Sequence, residues 1–488
     1  MDMFSRLPTL VHTTILGQIQ SDRDLFSLIR ASPQSLQLYA RYRCTVARQR
    51  LARFLELDTD GNMIQDALAI INFPRINQSS PIPLAIMSDW FDMLNTRSFN
   101  YRHSIDSLYP FFTRLVVFIE DYLAKSLDPF PVRACMTLPT IGRSAPCMQF
   151  KGKETDVKPV SFGMFPAHTQ RRLLQAFISY ELRCKIYDPR VWDPLERNSY
   201  ASMVDRLNER LTLSDCEELH CVFEYIKSMY GAVKAQSTDD TWFPDRQVPN
   251  PTVQSRPRND EDADLPSARD LGLLYPDNLY FDGALRSIPR KLDILSCLGL
   301  DLLSSIIQNS RFDDGTGISI DTHITHLTFY FSDKAWIIRD PFNYNHRLLT
   351  SRSRLRSWLR DMPLAVSRRH GDYRGYVRQR KQDLELQVLQ SKIYRQRGWI
   401  FFRDSPGPQP ILPSAEHIVE EYDSVSDWIC LELEKHRRRS QKWQDYWAGR
   451  TLDDPLDPDS PANQSSPTRC PEVYAFSTFP RFFSGRTA

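Results

Sequence analysis

Residues 7–55 read LPTLVHTTILGQIQSDRDLFSLIRASPQSLQLYARYRCTVARQRLARFL, and this stretch spells three helices. Leu7-Pro8 puts a proline at the first helical turn, where its missing N–H costs nothing. Val11, Ile15 and Ile19 then recur every four residues, flanked by Leu10 and Leu16, as one apolar stripe. Ser21 can cap a second helix, and Asp24 can reach back as the acid of a near-capping box. Leu25, Leu28 and Ile29 form its apolar face. Ser32-Pro33 repeats the cap-then-proline start and opens a longer helix carrying Leu36, Val46, Leu51, Phe54 and Leu55. A unit of about 45 residues buries little core by itself. Its apolar surface therefore calls for a partner or for the rest of the chain. One face of each helix must turn inward, which takes about half of these side chains into a local core.

Working outward, residues 58–234 read as a helical domain. Pro74, Pro81, Pro83 and Pro110 break its first half, and a proline-bearing loop is expected over 136–166. A strong helix is expected from Thr169 to Tyr187, with Leu173, Phe177, Tyr180 and Cys184 on one face. Ser214 and Glu217 have capping-box spacing ahead of Leu219, Val222, Phe223, Ile226 and Tyr230. Residues 235–268 are polar, a linker or long surface loop. A second helical region spans 269–450, beginning with an apolar helix from Lys291 to Asn309. Within it, Ile318, Ile320, Ile324, Phe329, Phe331 and Ile337 are the best strand candidates, so a small β hairpin is expected near 318–338. The tail over 451–488 is rich in Pro, Ser and Asp and is expected to be disordered. The expected fold class is mainly α: a three-helix N-terminal unit (1–57) plus a larger, irregular helical body.

The 488 residues carry 62 Lys+Arg against 60 Asp+Glu, a net charge of +2, so the chain as a whole is no polycation for nucleic acid. Nine cysteines without a CxxC pair argue against a disulfide framework and for a reduced, cytoplasmic or nuclear setting. No apolar run approaches the ~18 residues of a membrane span. Seventeen glycines against 33 prolines fit short helices with proline-bounded loops better than a small all-β domain.

Two blocks carry a resemblance. The first is Leu7-Pro8 through Leu55, including Asp24-Leu25-Phe26-Ser27-Leu28-Ile29-Arg30-Ala31-Ser32-Pro33. The second is Arg171-Arg172-Leu173-Leu174-Gln175-Ala176-Phe177-Ile178-Ser179-Tyr180-Glu181-Leu182, followed by Asp215-Cys216-Glu217-Glu218-Leu219. In this order they resemble the F-box-like N-terminus and following helical region of large families of filamentous-fungal proteins. F-box modules bind the small Skp adaptor of cullin-based ubiquitin ligases. The resemblance therefore implies a substrate-recruiting subunit with no chemistry of its own. Leu7, Pro8, Leu10, Ile15, Leu16, Leu25, Leu28 and Ile29 stand at the matching, partner-binding positions. Thr9 stands where many F-boxes have Glu, and the late tryptophan of the motif is absent. The alternative is an interaction scaffold that keeps the fold without a ligase role. The target protein is not named by any of these residues.

No phosphate loop, dinucleotide fingerprint or nucleophile elbow occurs. His323 and His326 would point to opposite faces of a strand and share no metal. Cys216, His220 and Cys221 crowd one helical turn, but adjacent residues project about 100° apart, so buried helix cysteines are the better reading. Glu181 in an apolar helix is a candidate functional acid, with Lys185 at i+4 as the simpler explanation. No metal and no cofactor is expected. Residues 347–397 hold 14 Lys/Arg against four acids. Arg352, Arg354, Arg356 and Arg360 begin this run, and Trp358, Tyr373 and Tyr376 interleave it, as in a nucleic-acid surface. A solvated helix face fits the near-neutral chain better. Lys435-His436-Arg437-Arg438-Arg439 has the composition of a nuclear-localisation patch.

Overall fold

The computed structural model describes most of residues 6–236, Phe243, residues 295–309 and most of 386–419. The expectations for the strands of 318–338, the arginines of 352–381, the polar segment beyond Phe243, the basic patch at 435–439 and the tail fall outside the described residues.

The N-terminal stretch forms α1 (Thr9–Gln18), α2 (Asp22–Ala31) and α3 (Pro33–Leu57). Pro8 is the N-cap rather than part of the first turn. Ser32 caps α3 as its sequence suggests, its side chain accepting from Ser35 N at 3.0 Å. Leu16, Leu25, Ile29, Leu38 and Val46 close a small core among the three helices. The residues that α1 buries are His12, Thr13, Leu16 and Gly17. His12 Nε2 meets Ser35 Oγ at 2.9 Å, and a Cβ on Gly17 would overlap Gln49, so α1 lies unusually close to α3. The close approach at Gly17 requires a small residue there, and Leu10 and Val11 lie outward while Leu16 is buried.

α3 kinks at Tyr42 (φ −114°, ψ 24°) and continues into the body. There Leu51 and Phe54 join the main core, with Phe54 stacked on Phe112 at 4.8 Å between centroids. The body continues with α4 (Asn62–Ile71), α5 (Leu84–Thr96), α6 (Ile105–Leu127) and α7 (Pro131–Met136). The Asp58 carboxylate accepts from Met63 N at 3.1 Å and Ile64 N at 2.8 Å, capping α4. Pro110 does not break α6. It sits exposed in the first two turns, where it forfeits one backbone bond, while Phe111, Phe112, Leu115 and Phe118 bury the opposite side. The expected loop at 136–166 instead carries a three-stranded antiparallel meander: β1 (Leu138–Pro139), β2 (Met148–Phe150) and β3 (Lys153–Glu154). Strands this short carry no periodicity to read.

α8 (Ala167–Ile186) lies at the centre of the body and packs against α4, α6 and α10 (Leu213–Gln236); α9 (Arg197–Asn208) lies between α8 and α10 in sequence. Leu173, Phe177, Tyr180 and Cys184 are all buried, as their spacing predicts. Burying side chains of this size contributes about 1.5–3 kcal/mol each. The later described segments add α11 (Gly299–Asn309) and α12 (Trp399–Phe402) to the same core. Of the apolar helix expected from Lys291 to Asn309, residues 291–294 lie outside the described residues, Leu295 and Ser296 are helical, a turn follows at Cys297 and Leu298, and α11 begins at Gly299, whose φ is 85°. Among the described residues the fold is mainly helical with one small antiparallel sheet.

Candidate functional site

The eight residues singled out in the N-terminal unit divide between inside and outside. Leu16, Leu25 and Ile29 are buried and Leu28 packs against them, so these four close the local core. Leu7 and Ile15 are half-buried, and Pro8 is exposed. Leu10 is 79% exposed. Val11, Phe26, Leu36 and Leu55 lie outward on the same unit as well. The sequence pattern groups Val11 with the helix stripe and Leu36 with the α3 face. It gives no sign that the α1 seam is built from His12, Thr13 and Gly17 instead.

The second sequence block has a structural task. Arg171 reaches Thr59 and Asp60 in the turn before α4. Arg172 pairs with Glu218 at 2.7 Å, donates to the Ile400 carbonyl at 3.0 Å, and lies over the Phe401 ring. Glu217 is not the capping acid of α10. That role falls to Asp215, which accepts from Thr212 N and Oγ1 at 2.8 and 2.7 Å. Glu217 turns inward and takes a two-point bond from Arg395, Nε and Nη2 each at 2.8 Å, across 178 positions of sequence. Burial pushes the Glu217 carboxyl up, but Arg395 outweighs it and holds the group below its usual range. Arg395 and Arg397 end the basic segment, and both are used internally. Arg397 donates to the Asp128 carbonyl at 3.2 Å, and burial pushes its guanidinium down to about 10.

Glu181 is buried, and its carboxylate accepts from Leu300 N at 2.6 Å, capping α11. Lys185 stands 3.5 Å from it and 2.5 Å from Asp301. Burial raises the Glu181 carboxyl, and the neighbouring Asp301 adds to the effect. This carboxyl is a helix cap with a cationic neighbour, aimed at backbone rather than at a cavity. Cys216, His220 and Cys221 are all buried, and His220 Nδ1 meets the Cys216 carbonyl at 2.7 Å. Burial pushes the Cys135 thiol up to about 11 and raises Cys184 and Cys221 as well, which disfavours their thiolate forms. Asp121 and Lys125 form a buried pair at 2.7 Å, completed by the Tyr225 hydroxyl donating to Asp121 at 2.7 Å. Among the described residues no helix is long and apolar enough to cross a membrane.

One cleft, of about 290 Å³, lies among α4, α8, α10 and the end of α9. Its walls combine leucines with Asn62, Gln175, Ser179 and several charged side chains. The charges are engaged within the chain: Asp66 with Arg97, Glu218 with Arg172, Arg183 with Asn208, and Asp215 with Thr212. No protein-family model matches the sequence, and no match is found among curated proteins or solved structures.

Proposed function

We propose that the chain is an F-box-like adaptor: its three-helix unit docks a Skp-type subunit of a cullin ligase, and its helical body recruits a protein target. The observation that carries this reading is the orientation of α1. Its buried positions go to His12, Thr13, Leu16 and Gly17, while Leu10 and Val11 lie outward at 79% and 45% exposure. A helix that buries one leucine beside small and polar groups and leaves a leucine and a valine outward presents apolar surface to a second protein. The sequence resemblance supplies the identity of that protein. The chain performs no chemistry in this reading. Holding a target near a ligase raises the effective concentration of its lysines, to the order of mM for short tethers.

The test is co-purification of the full chain with a recombinant Skp-type adaptor. Leu10→Asp with Val11→Asp should abolish recovery of the adaptor. Both positions lie in the first turn of α1, where acids are favourable to the helix dipole, so the unfolding midpoint should hold. Failure of the wild-type chain to bring down the adaptor, or equal recovery with the double variant, refutes the ligase reading. Thr9, exposed at the start of α1 where many F-boxes have Glu, would then mark a scaffold that keeps the fold alone.

A further inference from the structure

The cleft among α4, α8, α10 and the end of α9 has chemistry that the N-terminal docking face does not use. Gln175 and Ser179 stand one turn apart on α8, and Asn62 faces the same space from the first residue of α4. Their three side chains are half-buried and make no hydrogen bond with the described residues. Every charged group on the walls, by contrast, already has a partner in the chain. A charged ligand would have to break these pairs. An uncharged ligand with donors and acceptors would meet open ones.

Asn and Gln each present one carbonyl and one NH2, the complement of the C=O and N–H of a peptide group. Leu182, Leu207, Leu211 and Leu219 supply an apolar floor. The volume of about 290 Å³ is roughly twice the ~150 Å³ that accepts a benzene ring, room for one large apolar side chain and a peptide unit. We infer that this cleft binds an uncharged, extended peptide segment of a partner protein. One leucine-sized side chain lies on the leucine floor, and the adjoining main-chain amides bond Asn62, Gln175 and Ser179. The inference deepens the recruiting role proposed above and rests on it only for the peptide's owner.

The experiment exposes the full chain to Ac-Ala-photoleucine-Ala-NH2, irradiates it, and maps cross-links by peptide mass analysis. Cross-links should concentrate in residues 175–183 and 207–219. Asn62→Ala with Gln175→Ala should reduce them about tenfold, equivalent to ~1.4 kcal/mol. The isosteric pair Asn62→Asp with Gln175→Glu should do the same while keeping side-chain shape, so a folding defect in the alanine pair does not decide the matter. Zwitterionic free photoleucine should label the cleft about tenfold less than the capped peptide. Labelling scattered over the surface, or unchanged in the isosteric pair, overturns the site. Equal labelling by the free amino acid overturns a peptide in favour of a small-molecule ligand. No adaptor is present, and the chain carrying Leu10→Asp with Val11→Asp should label like wild type, so failure of adaptor binding and failure of this inference are read separately.

Discussion

Replacing Arg395 with Met would strand a buried carboxylate. Glu217 is 6% exposed and Arg395 13%, and their two bonds are both 2.8 Å. Each hydrogen bond to a charged group contributes about 1.5–3 kcal/mol, and breaking a buried pair by removing one partner costs about 3–5 kcal/mol. Against a total stability of roughly 5–15 kcal/mol, that is a large fraction. Urea unfolding of the full chain, followed by far-UV circular dichroism at neutral pH, should show the loss. The pH dependence fixes its origin. The folded Glu217 carboxyl is depressed below its ordinary 4.5, so its contribution is present above that value and lost as pH falls through the folded value. The gap between wild type and Arg395→Met should therefore narrow in acid. Glu217→Leu combined with Arg395→Met should cost less than Arg395→Met alone, because no charge is left buried. A single variant losing less than about 1 kcal/mol, or a double variant costing the sum of both singles, would refute the reasoning.

Gly17→Ala should destabilise the N-terminal unit by about 1–3 kcal/mol, because the added methyl overlaps Gln49 on α3. The ordinary gain of about 1 kcal/mol for alanine in a helix is outweighed, and a thermal melt with an unchanged or raised midpoint would count against the tight α1–α3 seam. Glu181→Gln should change the pH profile. The raised folded pKa of Glu181 means that its protonated form favours the fold, a contribution present below the unfolded value of 4.5 and lost as pH rises through the folded one. The variant's urea midpoint should thus improve relative to wild type as pH increases, and parallel profiles would refute the assignment.

The helices were legible wherever one face is apolar over several turns. Leu173, Phe177, Tyr180 and Cys184 announce α8, and Ser32-Pro33 announces α3, because period and cap are local signals. What local signals could not reveal is which of two adjacent candidates wins a tertiary role. Glu217 has capping-box spacing, yet Asp215 caps α10, because Arg395 arrives from a distant segment and draws Glu217 inward. Pro110 reads as a break, yet the aromatic residues that follow it hold α6 together across it. In the N-terminal unit the stripe of Val11, Ile15 and Ile19 is plain in the sequence. That Val11 lies exposed while Ile15 and Ile19 are half-buried is not, since the burial of His12 depends on Ser35 and that of Gly17 on the room left by Gln49. The cleft was invisible for the same reason: Asn62 and Gln175 are ordinary surface residues until the fold brings them to one space.

The braces in the second sequence block bear on how a recruiting protein would have to work. Tethering raises effective concentration only when geometry allows both ends to engage, and a slack joint between them dilutes the effect. Here the joint is α3, one helix whose first half carries Leu38 and Val46 of the N-terminal core and whose last turns carry Leu51 and Phe54 of the main core. Phe54 on Phe112 fixes it to α6, and Arg171 ties α8 to the turn immediately after α3. Arg172 then locks α8 to Glu218 of α10, one of the residues that line the cleft. A continuous path of packed helices and ion pairs therefore runs from the exposed leucine of α1 to the peptide-sized cleft. The pairing of Arg171, Arg172, Glu217 and Glu218 is on this reading a requirement of rigidity between two binding surfaces, and none of the four needs to touch a partner to be required for recruitment.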